Sequence, residues 1–191
     1  TGTVTIRNHS GLDLSYDRTL VAGHIMVVAE DNGHAEVGWD YRFSPFLGQL
    51  EMDAIGATAA GRAVCMLGAR PVRSMRTPAI LPPWVAADLL SVLSASFLAD
   101  NIQKGKSMLV GRVGEQVFST HVTIVDDGLY PGGLGSSPFD DEGSIRQETV
   151  LVSKGVIQGF LYDCYTATKE NRGSTRNAGR HGIKAPPWGQ T

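Results

Sequence analysis

Five histidines are the residues best suited to bind a catalytic metal ion, but their spacing does not bring them to a common site. They are His9, His24, His34, His121 and His181. No two of them lie four positions apart, and the sequence contains no H-E-x-x-H motif. A catalytic zinc ion needs about three protein ligands and an open fourth position. We therefore interpret these histidines as surface or loop residues and predict no metal site from them.

Two glycine-rich segments resemble phosphate-binding loops, and neither completes its motif. Gly105-Lys106-Ser107 matches the end of a P-loop, but the first glycine of that motif falls on Asp100, whose charge would repel a phosphate. Gly132-Gly133-Leu134-Gly135 fails as a dinucleotide fingerprint because Pro138 stands in place of the third glycine. Neither segment predicts a nucleotide site.

The candidate nucleophiles lack the neighbours that would activate them. The sequence has no G-x-S-x-G elbow, and Ser136 and Ser137 have no histidine close in sequence, although folding could bring one near. Cys65 is predicted on the apolar side of a helix, in the core. Cys164 follows the acidic Asp163 and has no basic neighbour to activate its thiol. We interpret both cysteines as structural.

Two groups of acids lie near glycines and are the remaining candidates for chemistry. They are Asp126-Asp127 and Asp140-Asp141-Glu142. Paired carboxyl groups can act as general acid and base. Acids in such loops more often accept hydrogen bonds from nearby backbone N–H groups and so stabilise turns. Turn chemistry is the stronger interpretation, and no motif by itself proves an activity.

The first part of the chain is predicted to be antiparallel β structure. Thr3 to Arg7 alternates polar and apolar residues, and the runs Thr19 to Glu30 and His34 to Arg42 flank Asp31-Asn32-Gly33. Asn-Gly between two such runs is a strong hairpin signal, because both residues tolerate a positive φ.

Two principal helices follow, at about residues 51–68 and 83–99. Apolar residues in the first recur every three to four positions, which predicts one buried face. They are Met52, Ile55, Ala59, Ala63, Met66 and Leu67. A strand is predicted between the helices, from Arg73 to Leu81. The second helix is apolar nearly all round, so we expect it to be buried at the centre.

The last third of the chain is predicted to be β-rich again. A strand is expected from Gln116 to Val125, a glycine-rich acidic loop from Pro131 to Gly143, and a hairpin around Ser153-Lys154-Gly155. A short helix is expected from Asp163 to Glu170, followed by a loop from Gly173 onward. The order of elements predicts an α+β fold with a mostly antiparallel sheet, in one β-rich domain over residues 1–191.

Composition excludes several broad classes of protein. The chain has 191 residues, of which 42% are hydrophobic and 19% charged, with a net charge of -2. These values are typical of a globular protein and provide no basic surface for nucleic acid. The most apolar run, Trp84 to Leu98, is too short to cross a membrane. Two cysteines and no signal sequence favour a reducing, cytoplasmic location.

A long ordered series of short motifs goes beyond these general features. It consists of Asn8 to Leu12, Leu67 to Arg70, Leu81 to Pro83, Gly111 to Ser119, Val122 to Asp127, Pro131 to Ser136, Pro138 to Gly143, Val150 to Val152, Gly155-Val156, Gly159 to Asp163 and Ser174 to Ala178. In this order and spacing the series resembles the TldD/PmbA family, formerly called modulators of DNA gyrase. The resemblance implies the middle and C-terminal part of such a protein, without its N-terminal α/β domain and final strands.

The resemblance is closer to the TldE/PmbA-like branch of that family. TldD-like members carry an H-E-x-x-x-H zinc motif on the buried helix, and TldE/PmbA-like members lack it and pair with a TldD-like subunit. Anchoring on Asp100 and on Gly111 to Val117 places the motif on Leu90, Ser91 and Ala95. Arg176 also departs from the family, which usually has glycine there.

The resemblance implies a non-catalytic subunit of a zinc metallopeptidase that processes extended peptides. Its partner would be a TldD-like subunit or a second copy of itself, and zinc is expected only in the TldD-like partner. The acidic loop is the candidate lining of a cleft or interface, through Gly132, Gly133, Gly135, Asp140, Asp141 and Glu142. Two alternatives stay open: an atypical independent metallopeptidase, and a regulatory binding protein linked to DNA gyrase.

Overall fold

The computed structural model describes residues 1–179 and the backbone of residues 188 and 189. The strands are β1 (Gly2–Arg7), β2 (Asp13–Arg18), β3 (Val21–Asp31), β4 (His34–Ser44), β5 (Ile124–Asp127), β6 (Glu148–Ser153), β7 (Val156–Ile157), β8 (Ala178–Gly179) and β9 (Trp188–Gly189). The α-helices are α1 (Met52–Met66), α2 (Pro83–Ser94), α3 (Ala99–Gln103) and α4 (Cys164–Lys169). The described strands pair as β1-β2, β3-β4, β5-β6-β7 and β8-β9. The fold is α+β, as predicted.

The chain divides into two compact units, where the sequence leads us to expect one β-rich domain. Unit 1 contains Thr1–Val4 and Tyr16–Ala79, and unit 2 contains Thr5–Ser15 and Ile80–Thr191. Each unit buries apolar residues of its own, which gives each a separate core. The sequence pattern shows which residues are apolar, but not how they are shared between cores.

Unit 1 is built on a long hairpin that confirms the Asn-Gly prediction. Strands β3 and β4 pair from Val21↔Ser44 to Asp31↔His34 without a break. The two turn residues, Asn32 and Gly33, have φ values of 51° and 79°. A positive φ at both positions is what a two-residue hairpin turn needs to match the twist of its strands.

Helix α1 packs closely against one face of this hairpin. Its buried residues are Ile55, Ala59 and Ala63, at the four-residue spacing predicted for its apolar face. The helix backbone comes so close to β4 that a Cβ atom at Gly38 would lie 2.1 Å from the carbonyl oxygen of Ala59. Only glycine fits at this position, because the atom it would strike belongs to the backbone and cannot rotate away.

An ion-pair cluster lies at the edge of the same interface. Asp40 is 6% exposed, and its Oδ1 lies 3.0 Å from Nη1 of Arg62 on α1. The same nitrogen donates to the carbonyl oxygen of Trp39 at 2.6 Å, and Nε of Arg42 donates to Asp40 Oδ2 at 3.2 Å. Both carboxylate oxygens of Asp40 are therefore paired, as a buried charge requires.

Two predictions near the end of unit 1 are wrong. The strand expected from Arg73 to Leu81 does not form, because Pro78 cannot donate a backbone hydrogen bond and this segment pairs with no described strand. Cys65, expected in the core, is exposed. It lies two positions after the buried Ala63, and a helix rotates it away from the apolar face.

Unit 2 contains the three-stranded sheet β5-β6-β7 and its own core. The predicted hairpin at Lys154-Gly155 is confirmed, since Ser153 pairs with Val156 across it. The core residues are Phe97, Ala99, Leu109, Leu151, Val152, Ile157, Phe160, Leu161, Tyr162 and Ala167. The strand expected from Gln116 to Val125 is largely wrong, because only the last positions enter β5 and Gln116 forms an isolated bridge.

The second principal helix is shorter and more exposed than predicted. It ends at Ser94, and a 3₁₀ turn from Ala95 to Phe97 leads to the separate helix α3. The chain leaves helical geometry at Leu98, where Ala99 N–H donates to the carbonyl oxygen of Leu161 at 2.8 Å. No residue of α2 is buried, so its predicted central position is wrong. At 12 residues it is too short to cross a membrane, and no other helix of the described chain could do so.

Candidate functional site

The positions of the expected zinc motif lie at the end of α2 and do not fit a zinc ion. Leu90 and Ser91 are on the helix, and Ala95 begins the turn that follows it. Two of these side chains are hydrocarbon and the third is a hydroxyl, whereas zinc in proteins is held by imidazole, thiolate or carboxylate groups. Across residues 1–179, no group of three or more histidines, cysteines and acids could hold a metal ion.

The same part of α2 forms one wall of a pocket in unit 2. The pocket has a volume of about 300 Å³, and strands β5 and β6 form its opposite wall. It is lined by Ala87, Leu90, Leu93, Phe97, Ile124, Val125, Leu151, Ser91, Ser94 and Asp126. Positions 87, 90, 91 and 94 share one helix face. Two of the three expected motif positions, Leu90 and Ser91, therefore line a cavity.

Asp126 is the only charged residue in this lining. Its Oδ2 atom is shut off from solvent and has no hydrogen-bond partner. Thr149 is its cross-strand neighbour on β6, and the Thr149 Oγ1 atom is also shut off and unpartnered. Two unsatisfied oxygens at neighbouring positions are unusual, because most buried polar side-chain atoms are hydrogen-bonded.

The surroundings of Asp126 keep its proton bound to unusually high pH. The pKa of this carboxyl group is raised from 3.8 to about 6, mainly by burial and to a smaller extent by the negative charge of Asp127. The positive charge of Arg146 opposes both effects. Arg146 is 7% exposed and donates from Nε to Ser137 Oγ at 2.8 Å. Burial is the largest of these influences, so the carboxyl lies in a poorly solvated site.

Arg146 also lines a second pocket on the glycine-rich loop. This pocket has a volume of about 270 Å³. It is lined by Val125, Asp126, Asp127, Gly128, Tyr130, Gly133, Gly135, Ser136 and Arg146. Gly133 and Gly135, two of the predicted lining residues, are thus at a cavity, while Gly132 forms a turn with a φ of 73°.

The acids of the predicted lining take part in hydrogen bonds that stabilise the loop. Asp140 is fully buried, and its carboxylate accepts hydrogen bonds from the N–H groups of Glu142, Ser144 and Ala178 at 2.8–3.1 Å. Glu142 Oε2 accepts from Cys164 N–H at 2.9 Å. Asp141 N–H donates to the carbonyl oxygen of Ala178. These contacts hold the loop to α4 and β8, and the role of the six residues in a cleft stays a prediction.

Cys164 shows no sign of activation. The pKa of Cys164 is raised to about 11. Desolvation is the largest cause, followed by a hydrogen bond with Glu142 and by the negative charge of Glu142. Asp140 and Asp163 add to this effect through their charges. A thiol with such a pKa is protonated at neutral pH and is a poor nucleophile. The sequence had predicted that Cys164 is not activated, because it has no basic neighbour, and the raised pKa agrees with that prediction.

Arg176, which departs from the glycine usual in the family, adopts a conformation that favours glycine. Its φ is 61°, in the left-handed region that side chains with a Cβ atom adopt at a cost. Backbone geometry at this position therefore explains why a glycine suits it.

Sequence reasoning named Asp126 and Asp127 among the candidate acids but treated the two neighbours as equivalent. Asp127 does behave as predicted, since its Oδ1 accepts from Leu129 N–H at 3.0 Å in a turn. Both residues belong to β5, where successive side chains point to opposite faces. Strand alternation could have separated the two acids, had the strand been predicted to continue through them.

Two family models match successive parts of the chain. One describes a PmbA/TldA metallopeptidase central domain and matches residues 1–67. The other describes a PmbA/TldA metallopeptidase C-terminal domain and matches residues 74–190. Residues 68–73, which neither model matches, lie close in sequence to Ala79, where unit 1 ends.

Individual relatives agree with these matches. A metalloprotease PmbA homolog of Buchnera aphidicola is 28% identical over 173 residues, which is 90% of this chain and 39% of the relative. A solved structure from Thermotoga maritima, described as a candidate modulator of a DNA gyrase, has a TM-score of 0.82 at 32% identity, covering 96% of this chain and 42% of its own. TldE from Thermococcus kodakarensis has a TM-score of 0.88 at 26% identity, covering 97% and 42%. The chain spans about two fifths of the length of these relatives.

Proposed function

Because the chain belongs to the PmbA/TldD metallopeptidase family, we propose that it is a non-catalytic TldE/PmbA-like subunit of a zinc metallopeptidase that processes extended peptides. One observation carries this proposal. The helix face where a TldD-like subunit has its zinc motif still lines a pocket here, but Leu90 and Ser91 stand at that pocket in place of metal ligands. The chain contributes a binding surface, and a TldD-like partner with H-E-x-x-x-H contributes the zinc ion.

The sheet of unit 2 supports peptide binding. Strand β5 is the outer strand of the order β5-β6-β7, and it also contributes three residues to the pocket beside α2. An extended peptide can pair with such an edge through main-chain hydrogen bonds, which recognise its shape and tolerate many sequences. Loose sequence preference suits a subunit that presents peptides for cleavage.

The hairpin of unit 1 supports association with a partner subunit. Apolar side chains project from the face of β3 and β4 opposite α1, where cross-strand neighbours lie side by side. The exposed members of this face are Met26, Val28, Val37, Trp39, Tyr41 and Phe43, each at least 40% exposed. A contiguous apolar surface of this kind is typical of a protein–protein interface.

The proposal is tested by adding the protein to a TldD-like subunit and measuring zinc-dependent cleavage of an unfolded peptide. We expect at least about a tenfold gain over the TldD-like subunit alone, since completing a cleft positions the substrate. The matched control is the same mixture with the first histidine of the partner's motif replaced by alanine, which should be inactive. No gain would contradict the proposal. Stoichiometric zinc and chelator-sensitive cleavage by this protein alone would also contradict it, in favour of an independent metallopeptidase.

A further inference from the structure

The pocket between α2 and the strands β5 and β6 combines hydrocarbon walls with a single carboxylate. Seven of its ten lining residues are apolar. Of the two serines, Ser94 already uses its hydroxyl to donate to the carbonyl oxygen of Ser91 at 2.6 Å. A volume of about 300 Å³ is at the lower end of the range for small-molecule pockets. Such a pocket suits one side chain or one terminal residue with an apolar body.

Asp126 differs from the acids near it because the protein does not satisfy it. The backbone satisfies Asp127 through Leu129 N–H and Asp140 through three N–H groups. The Oδ2 atom of Asp126 is equally closed to solvent and receives nothing. An ionised carboxyl group with one oxygen in that position is unfavourable unless a positive charge lies close by. A cationic ligand in the pocket beside Asp126 would reduce this penalty through its charge.

The charges that face Asp126 leave room for such a ligand. Arg146 and Asp127 act on it from the strand side with opposite signs. From the helix side the lining presents only hydrocarbon and the hydroxyls of Ser91 and Ser94. Because the pKa of Asp126 is about 6, most of this carboxyl is ionised at pH 7.5. A ligand entering along α2 therefore meets one negative charge in apolar surroundings.

We propose that this pocket binds a primary ammonium group on a short apolar stem, with the carboxylate of Asp126 receiving the ammonium. A lysine side chain and the free amino terminus of an apolar residue share this chemistry. The inference rests on the proposed function in one respect, that the ligand is an extended peptide. Pairing of the peptide with the edge of β5 would place alternate side chains towards the pocket wall.

The test measures binding of three fluorescent ten-residue peptides to the full chain by anisotropy. The first has a central lysine and an acetylated amino terminus, and the second has norleucine at that position and is otherwise identical. The third has norleucine and a free amino-terminal leucine. We expect the first or the third to bind at least about tenfold tighter than the second. Whichever does so identifies the source of the ammonium.

Substitutions locate the preference at Asp126. Asp126→Asn keeps the shape of the side chain and should remove the tenfold preference, while leaving the affinity for the second peptide unchanged. The matched control is Glu148→Gln, which removes the same charge from an exposed residue on β6. Circular dichroism at the temperature of the assay verifies that each variant is folded.

A second pair of variants locates the binding in the pocket. Ser91→Phe places a ring in the cavity and should weaken binding of all three peptides. Val92→Phe adds the same ring at the next position, which is 77% exposed and outside the lining, and should change nothing. If Ser91→Phe does not fold, the comparison of Asp126→Asn with Glu148→Gln decides by itself.

Two results would overturn the inference. One is equal affinity of the folded wild-type chain for all three peptides. The other is an Asp126→Asn variant that keeps the wild-type preference. Neither result alters the proposed function, whose cleavage gain is measured with an acetylated peptide free of lysine. Conversely, a missing cleavage gain with an intact ammonium preference would overturn the proposed function alone.

Discussion

In each unit a helix faces an antiparallel pair of strands, yet one interface is closed and the other contains a cavity. In unit 1 the seam is made of Ala59, Ala63 and Gly38, which let the two backbones approach. In unit 2 the helix lines a pocket of about 300 Å³ with both small and large side chains, which are Ala87, Leu90, Ser91, Leu93 and Ser94. Small residues close the first interface because the strand opposite them also lacks a side chain at Gly38, whereas side chains of unequal size that do not interlock leave space.

The acids of the two interfaces differ in the same way. Asp40 has a guanidinium within 3.2 Å of each carboxylate oxygen. Asp126 has an oxygen that is closed to solvent and has no partner. Removing a paired buried acid leaves its partners uncompensated and is destabilising, whereas an unsatisfied buried acid itself reduces stability. Three substitutions test these differences in packing and in charge between the two interfaces, beginning with the largest expected effect.

Replacing Gly38 by alanine should open the closed interface. The new Cβ would clash with the backbone of Ala59 and Ala63, so α1 must move away from β4. We expect a loss of about 3 kcal/mol or more in the free energy of unfolding, as for other overpacked or strained sites. Urea denaturation followed by circular dichroism measures it.

The matched control is Gly56→Ala on the same helix, where a Cβ would meet nothing within 4 Å. Alanine is favoured over glycine inside a helix, so this change should stabilise the protein by about 0.5–1 kcal/mol. The two Gly→Ala changes would then shift the free energy of unfolding in opposite directions. A loss below about 1 kcal/mol for Gly38→Ala would show that the interface can relax, and that it is less closed than its geometry indicates.

Asp40→Asn should remove the charge that compensates two arginines. Arg62 would keep its bond to the Trp39 carbonyl but lose its carboxylate, and we expect a loss of about 2 kcal/mol in unfolding free energy. Thermal unfolding at pH 7.5 measures it. Asp13→Asn is the control, because its ion pair with Arg7 is solvent-exposed and should contribute nothing measurable. An equal loss in both variants would show that burial does not set the difference.

Asp126→Asn should raise the free energy of unfolding, whereas Asp40→Asn should lower it. The pKa of Asp126 is higher in the folded state, at about 6, than its ordinary value of 3.8. The folded protein therefore holds a proton that the unfolded chain has released, and stability from this group falls as pH rises from about 4 through 6. Asparagine stays neutral, so the variant should be more stable above pH 7 and equal near pH 4. A shift of about two pKa units sets an upper limit of about 3 kcal/mol, and solvent screening at this partly exposed residue reduces the expected gain to about 1 kcal/mol. Thermal unfolding of both proteins from pH 4 to 8 measures this difference, and a gap that does not change with pH would contradict it.

Local sequence signals predicted the elements that depend on near neighbours. The turns at Asn32-Gly33 and Lys154-Gly155 and the short helix capped by Asp163 formed where expected. Each depends on contacts within a few residues, such as the bond from Thr166 N–H to Asp163 Oδ1 at 2.7 Å. The segment from Arg73 to Leu81 was predicted as a strand but contains Pro78, and a strand also needs a partner, which the local sequence does not reveal.

The candidate site was predicted less completely than the fold. The resemblance correctly directed attention to Leu90 and Ser91, which line the pocket. It did not identify Asp126, because the sequence cannot show that one acid of a pair has an unpartnered oxygen while the other bonds to its own turn. That distinction depends on the register of β5 against β6, which brings together residues more than twenty positions apart.

The sequence by itself determined the family, the α+β class, the hairpin turns and the lack of zinc-binding groups at Leu90, Ser91 and Ala95. Identity of side chains and short-range geometry are enough for each of these. Only the tertiary structure decided that the chain forms two units, that α2 has no buried residue, and that Asp40 is paired while Asp126 is not. The reason is physical: burial, desolvation and charge compensation are properties of groups distant in sequence, and folding alone determines which of them meet.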